Sequence, residues 1–202
     1  MAQNILVVHY SQSGQLTEIL QNFCKPFSDS TIEWVKVEPA TAFPFPRTTA
    51  RFFDAMPETV LEKPIPIQPL PFKREQYDLI IFGYQPWFLS PSLPASAILQ
   101  DETFRNLAKG TNVVTVLGCR NMWINSQEAV KKQLASAGAN LVGNVPFIDK
   151  TSNLVSVVTI LHWMLTGQKT KKWGIFPKPG VSDEDIAHAS TFGEMLKNKL
   201  EK

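Results

Sequence analysis

Asn4-Ile5-Leu6-Val7-Val8-His9-Tyr10, followed at once by Ser11-Gln12-Ser13-Gly14-Gln15-Leu16-Thr17, is the stretch on which the fold turns. Its first half is a continuous β-branched and aliphatic run, the pattern of a strand covered on both faces, as in a parallel sheet. Its second half is polar, short and contains glycine. Beyond it Leu16, Ile19, Leu20 and Phe23 recur at helical spacing until Pro26 stops the pattern. An anion at such a junction meets the hydroxyls of Ser11 and Ser13, exposed backbone N–H groups and the positive end of a helix together. Gly14 lets the backbone approach it closely. Against this stands the plainer reading that serine and glycine only make a turn and an N-cap.

Working outward, the same strand-and-helix alternation repeats. A second strand is expected over residues 31–38, where Ile32, Trp34, Val35 and Val37 alternate in part, and buried-strand runs follow at 77–83 and 111–118, each ending in glycine. A helix over 95–108 separates those two, another is expected over 126–137 with Gly138 after it, and a fifth strand over 140–148. Five strands alternating with helices imply an α/β domain with a doubly wound parallel sheet, whose ligands sit outside the carboxyl ends of the strands. The glycine-ended strands therefore point at the site.

Two regions depart from the alternation. Residues 39–71 hold eight of the 15 prolines and one expected helix near 49–61, so they read as an irregular insert, a candidate lid or partner site. Residues 151–202 form a C-terminal extension with an apolar helix at 153–165, a basic aromatic loop at 168–180, and a last helix opened by Ser182-Asp183-Glu184-Asp185. The whole reads as one domain over 1–202.

Composition narrows the partners. Twenty basic against 18 acidic side chains give a net charge of +2, too even a balance for a nucleic-acid binder. Cys24 and Cys119 lack metal-ligand spacing, so no metal site is expected and reduced thiols in a cytoplasmic setting are the default. The N-terminus has no basic n-region, and the 12-residue apolar run at 154–165 is shorter than a bilayer span of about 20 residues. Lys169, Lys171 and Lys172 beside Trp163 and Trp173 suggest contact with an anionic membrane as a lesser alternative to a helix covering the sheet.

Two more loops leave the expected ligand edge. Gln85-Pro86-Trp87-Phe88 follows the third strand, with Trp87 offering a flat aromatic face and Gln85 polar atoms, although both rings also suit a core. Gly118-Cys119-Arg120, with Trp123 just beyond, follows the fourth. Arg120 is a candidate for stabilising negative charge, Trp123 or Met122 for a second wall. Cys119 has no histidine or acid fixed beside it and reads as a small strand-end residue, not a nucleophile; no catalytic residue is assigned. His9, ending the first strand, is a further candidate near the anion loop.

On these motifs the sequence resembles the flavodoxin-like superfamily, in which a Ser/Thr-x-Ser/Thr-Gly-x-Thr loop wraps the phosphate of flavin mononucleotide (FMN). Ser11, Ser13 and Gly14 match; Leu16 stands at the usual threonine, with Thr17 one place later. The resemblance implies a three-layer fold with strand order 2-1-3-4-5 and FMN as cofactor. It implies Ser11, Gln12, Ser13, Gly14, Gln15 and Leu16 around the phosphate, and Gln85, Pro86, Trp87, Phe88, Gly118, Cys119, Arg120 and Trp123 around the ring. It also implies an oxidoreductase with small-molecule electron donor and acceptor, the acceptor quinone-like or aromatic, and leaves a homodimer open. Phe52-Phe53-Asp54, Pro57-Glu58-Thr59-Val60-Leu61 and the tail Gly174-Ile175-Phe176-Pro177-Lys178-Pro179-Gly180 look like bacterial proteins labelled dialkylresorcinol condensing enzymes. The activated Cys or Ser with His and Asn that such a condensation needs is not recognisable. The alternative class is a flavin-free accessory or binding protein of the same fold.

Overall fold

The computed structural model describes residues 3–46, 48–169 and 178–200. Five parallel strands form the central sheet: β1 (Asn4–His9), β2 (Thr31–Lys36), β3 (Leu79–Tyr84), β6 (Asn112–Cys119) and β7 (Asn140–Ile148), in the order β2-β1-β3-β6-β7. Counting only these strands, that is the expected order 2-1-3-4-5. A two-stranded antiparallel ribbon, β4 (Pro86–Trp87) and β5 (Ser90–Pro91), hangs from the end of β3.

Period-two alternation divides the core. From β1, Ile5 and Val7 join α1 (Gln15–Cys24) through the fully buried Leu16, Ile19, Leu20 and Phe23, while Leu6, Val8 and Tyr10 face the opposite layer. That second layer comprises α4 (Leu93–Gln100), α5 (Glu102–Ala108) and α6 (Ile124–Ser136). On the α1 side the extension adds α8 (Asp183–Ala187) and α9 (Ala189–Leu200), which pack on α1, with Val181, Ile186 and Ala189 buried in the core of that side. Ser182 caps α8, accepting from the Asp185 N–H at 3.0 Å. These layers make a three-layer α/β fold.

Three expected helices are each broken in two, the last of them, opened by Ser182, dividing at His188 into α8 and α9. The helix read over 95–108 divides at Asp101, whose extended backbone (φ −67°, ψ 128°) ends α4 while its carboxylate accepts from Phe104 N–H at 2.9 Å and starts α5. The helix read near 49–61 is α2 (Thr49–Asp54) and α3 (Met56–Val60); Pro57 lacks the N–H that would continue the ladder across Ala55. The insert is closed at its base by Ala40 N–H to Pro66 O and Gln68 N–H to Glu38 O. Phe43, Ile65, Ile67, Leu70 and Phe72 fold back on the α4 side of the core, so the prolines mark an excursion that is packed down.

The apolar helix of the extension, α7 (Asn153–Thr166), buries Trp163, whose ring meets Phe45 of the insert edge-on at 5.8 Å, with the Lys169 ammonium 5.7 Å from its centre. Trp163 is thus covered from within the chain. Lys171, Lys172, Trp173 and the tail residues 174–177 lie outside the described residues. Among the described residues no helix is long and apolar enough to cross a membrane.

Candidate functional site

The register carries three loops to one edge. His9 pairs with Lys36 on one side and Gly83 on the other, and Gly83 with Val116, so the chain leaves β1, β3 and β6 from the same end of the sheet. Between β1 and β3 the strand order reverses, which opens a crevice there in sheets of this kind.

The first loop is built as an anion cradle. Gly14 takes φ 85°, ψ −19°, a left-handed conformation that avoids a Cβ penalty, and α1 begins directly after it. A Cβ placed on Gly14 would meet nothing within 4 Å, so within the chain the glycine is required by its φ alone and its outer side is open. The opening N–H groups of α1 have no partners inside the helix. Ser11 Oγ lies 3.4 Å from Thr17 N, and Thr17 Oγ1 is 3.0 Å from His9 Nε2. The Gln12 side-chain nitrogen and His9 Nδ1 are both buried without a hydrogen-bond partner among the described residues. Burial first, and the nearby Lys36 second, lower the His9 pKa to about 4, so this imidazole is neutral at pH 7.

Gln15 and Leu16 serve the fold through their side chains. Gln15 bonds both the N–H and the carbonyl of Val181, and Leu16 is wholly buried. Only their backbone N–H groups face outward duty at the helix start. A Cβ on Gly180 would stand 2.6 Å from Gln15 Oε1 and 3.0 Å from the Trp163 ring, so the extension is fitted closely against the start of α1.

The second loop is tied to the first: Gln85 Oε1 accepts from the Gln12 N–H at 3.2 Å. Trp87, expected as an open stacking face, is only 9% exposed. Its ring meets Tyr10 at 6.1 Å and Phe43 at 5.2 Å, both edge-on, so it forms a packed aromatic wall with the insert as its cover. The ribbon turns through Phe88 (φ 47°) and Leu89 (φ 67°), a left-handed pair without glycine that costs of order 1–2 kcal/mol per residue. Packing of Phe88 on Phe52, ring centres 5.0 Å apart, helps hold it.

In the third loop Arg120 Nε donates to Ser156 Oγ at 3.0 Å, and Ser156 in turn donates to the buried Asp149 carboxylate at 2.7 Å. Arg120 is therefore fastened to α7, not left as a loose surface cation. Burial pushes the Cys119 thiol up to about 12, and its Sγ lies 3.6 Å from Phe147 O, in keeping with a strand-end role. Trp123 is half-buried against the α6 side of the core, while Met122 is 61% exposed. No cluster of metal-ligating side chains occurs among the described residues.

The structure brings the first two loops into contact and places the third on the same edge. It adds Phe43 and the Val181–Gln15 pair, which no local pattern announces, since each depends on a segment remote in sequence.

Flavoproteins are among the solved structures that share this architecture. The flavoprotein of Lactobacillus acidophilus, solved in complex with FMN, is 19% identical, with a TM-score of 0.58 over 72% of this chain and 93% of its own. A flavodoxin from the domain Archaea is 12% identical, with a TM-score of 0.52 over 98% of this chain and 99% of its own. No protein-family model and no curated protein matches the chain. The fold is flavodoxin-like.

Proposed function

We propose that the chain is an FMN-binding oxidoreductase that passes electrons from a nicotinamide or other donor to a quinone-like or aromatic acceptor. The observation that carries this reading is the loop at residues 11–16. A left-handed glycine, the open start of α1 and the buried, unpartnered Gln12 amide converge there, at the crevice where the flavoproteins of this fold, one of them solved with FMN, are the structural counterparts. These groups suit a phosphate ester. The loop contains no lysine or arginine, so neutral donors and the helix dipole would hold the anion.

Ser11, Ser13, the Gln12 side-chain amide and the N–H groups from Ser13 to Leu16 are assigned to the phosphate, the Gln12 N–H being held by Gln85. Gln85 and Pro86 are assigned to one side of the ring, with the covered Trp87 and Phe88 as the wall behind them, and Gly118, Cys119 and Arg120 to the other, with Trp123 behind. Bound FMN would supply the redox chemistry. The protein's own contribution is placement. Gln85 holds the two loops in register, the Tyr10–Trp87–Phe43 wall limits water, and Arg120, fastened by Ser156, supplies positive charge at the end of β6.

A second reading rests on Leu16. Its buried side chain removes the hydroxyl donor that the flavodoxin-like loop usually has, as a flavin-free accessory or binding protein in lipid or dialkylresorcinol-type biosynthesis would permit. Titration with FMN and with riboflavin separates the two. The FMN reading expects yellow protein and FMN binding at least about tenfold tighter than riboflavin, the contribution of one or two charge-assisted hydrogen bonds. Equal affinities would remove the phosphate loop's role, and no binding of either would favour the accessory protein.

A further inference from the structure

The insert carries a half-open pocket of about 320 Å³ beside the aromatic wall, most of its lining residues exposed. Phe43, Ala55, Ile65 and Leu93 line it, and Phe43 is the same ring that meets Trp87 edge-on. Arg51, Asp54 and Glu58 stand on its exposed margin, and among the described residues none of the three forms a salt bridge. At interior packing density the space takes roughly a dozen non-hydrogen atoms.

We propose that this pocket binds a neutral aromatic molecule bearing oxygen, of the size of a two-ring quinone. The apolar walls suit a flat hydrocarbon body. Two carboxylates against one guanidinium disfavour an anion at the margin, while Arg51 can donate to a carbonyl and Asp54 or Glu58 can accept from a hydroxyl. The binding site stands on the pocket alone; its role as the acceptor's place rests on the FMN reading, with Phe43 as the partition between pocket and flavin loops.

Equilibrium dialysis with menadione, a neutral naphthoquinone, tests it in the full chain with and without added FMN. Menadione is expected to bind once per chain in both conditions, and naphthoquinone sulfonate at least tenfold more weakly. Ala42→Trp, at an exposed position lining the pocket, is expected to reduce menadione affinity at least tenfold and to leave FMN retention unchanged. Arg51→Ala should reduce it about fivefold, the scale of one hydrogen bond. Absence of menadione binding, indifference to Ala42→Trp, or preference for the sulfonate overturns the proposal. Displacement of menadione by FMN also overturns it, since the quinone would then lie in the flavin loops. Retention of FMN without menadione binding removes the pocket and spares the flavin reading; menadione binding in a chain that takes no FMN does the reverse.

Discussion

Gln15 and Val181 hold each other at both ends: the Gln15 amide nitrogen donates to the Val181 carbonyl at 3.1 Å, and its oxygen accepts the Val181 N–H at 3.1 Å. The pair closes a separation of 166 residues and fastens the C-terminal extension to the first residue of the helix that follows the anion loop. The last segment of the chain thereby becomes part of the floor on which that loop rests.

Replacing Gln15 by Ala should loosen the extension. Both buried backbone groups of Val181 would lose their partner, at about 1–3 kcal/mol each before any water repairs them. Hydrogen exchange at the Val181 amide and in α8 should accelerate more than in β1 or β3. Uniform acceleration would mean that the pair supports the whole domain instead.

Gly14 separates the demands of backbone and ligand. Gly14→Ala should cost about 1 kcal/mol of stability through its φ of 85° alone, because the added Cβ meets nothing. Gly14→Asn should cost less, as asparagine tolerates that region. If a phosphate occupies the open side, both variants should weaken FMN while riboflavin is barely affected. Thermal melts and parallel flavin titrations read the two effects apart.

How much of this was legible in the chain follows the range of the interactions. The β1–loop–α1 unit was legible because its signals are local: an aliphatic run, a Ser-Gln-Ser-Gly turn and a helical stripe at Leu16, Ile19, Leu20 and Phe23. The helix breaks were legible in principle, since Asp101 is a capping residue and Pro57 a breaker; the apolar periodicity running through them concealed both. The cover on Trp87 was not legible, because Phe43 reaches it from a proline-rich insert whose path has no period. The commitment of Gln15 to Val181 was equally hidden, since a glutamine after a glycine suits a ligand contact as well as a tertiary clamp.

The two thiols should be slow to react. Burial pushes both Cys24 and Cys119 up to about 12 from 9.0, which leaves about a thousandfold less thiolate at neutral pH than an ordinary cysteine carries. Disulfide-exchange reagent applied to native protein should label neither residue at the rate seen after unfolding. Rapid native labelling of Cys119 would reopen a chemical role for the β6 loop.

His9 should make the protein acid-sensitive, with a sign that follows from its burial. Its pKa falls from 6.5 to about 4 on folding, so between those values the unfolded chain binds the proton and the folded chain does not. Stability contributed by the neutral ring is complete above about pH 6.5 and declines as pH drops, reaching a deficit of about 3 kcal/mol near pH 4. In His9→Gln this component should vanish, so the difference in unfolding free energy between wild type and variant should shrink or reverse on acidification. The acidic groups common to both cancel in that difference. Denaturant melts at neutral and acid pH give it directly, and an NMR titration of the His9 ring should inflect near 4. A ring that titrates near 6.5 would mean that a partner offsets its burial, and the neutral imidazole beneath the anion loop would have to be abandoned.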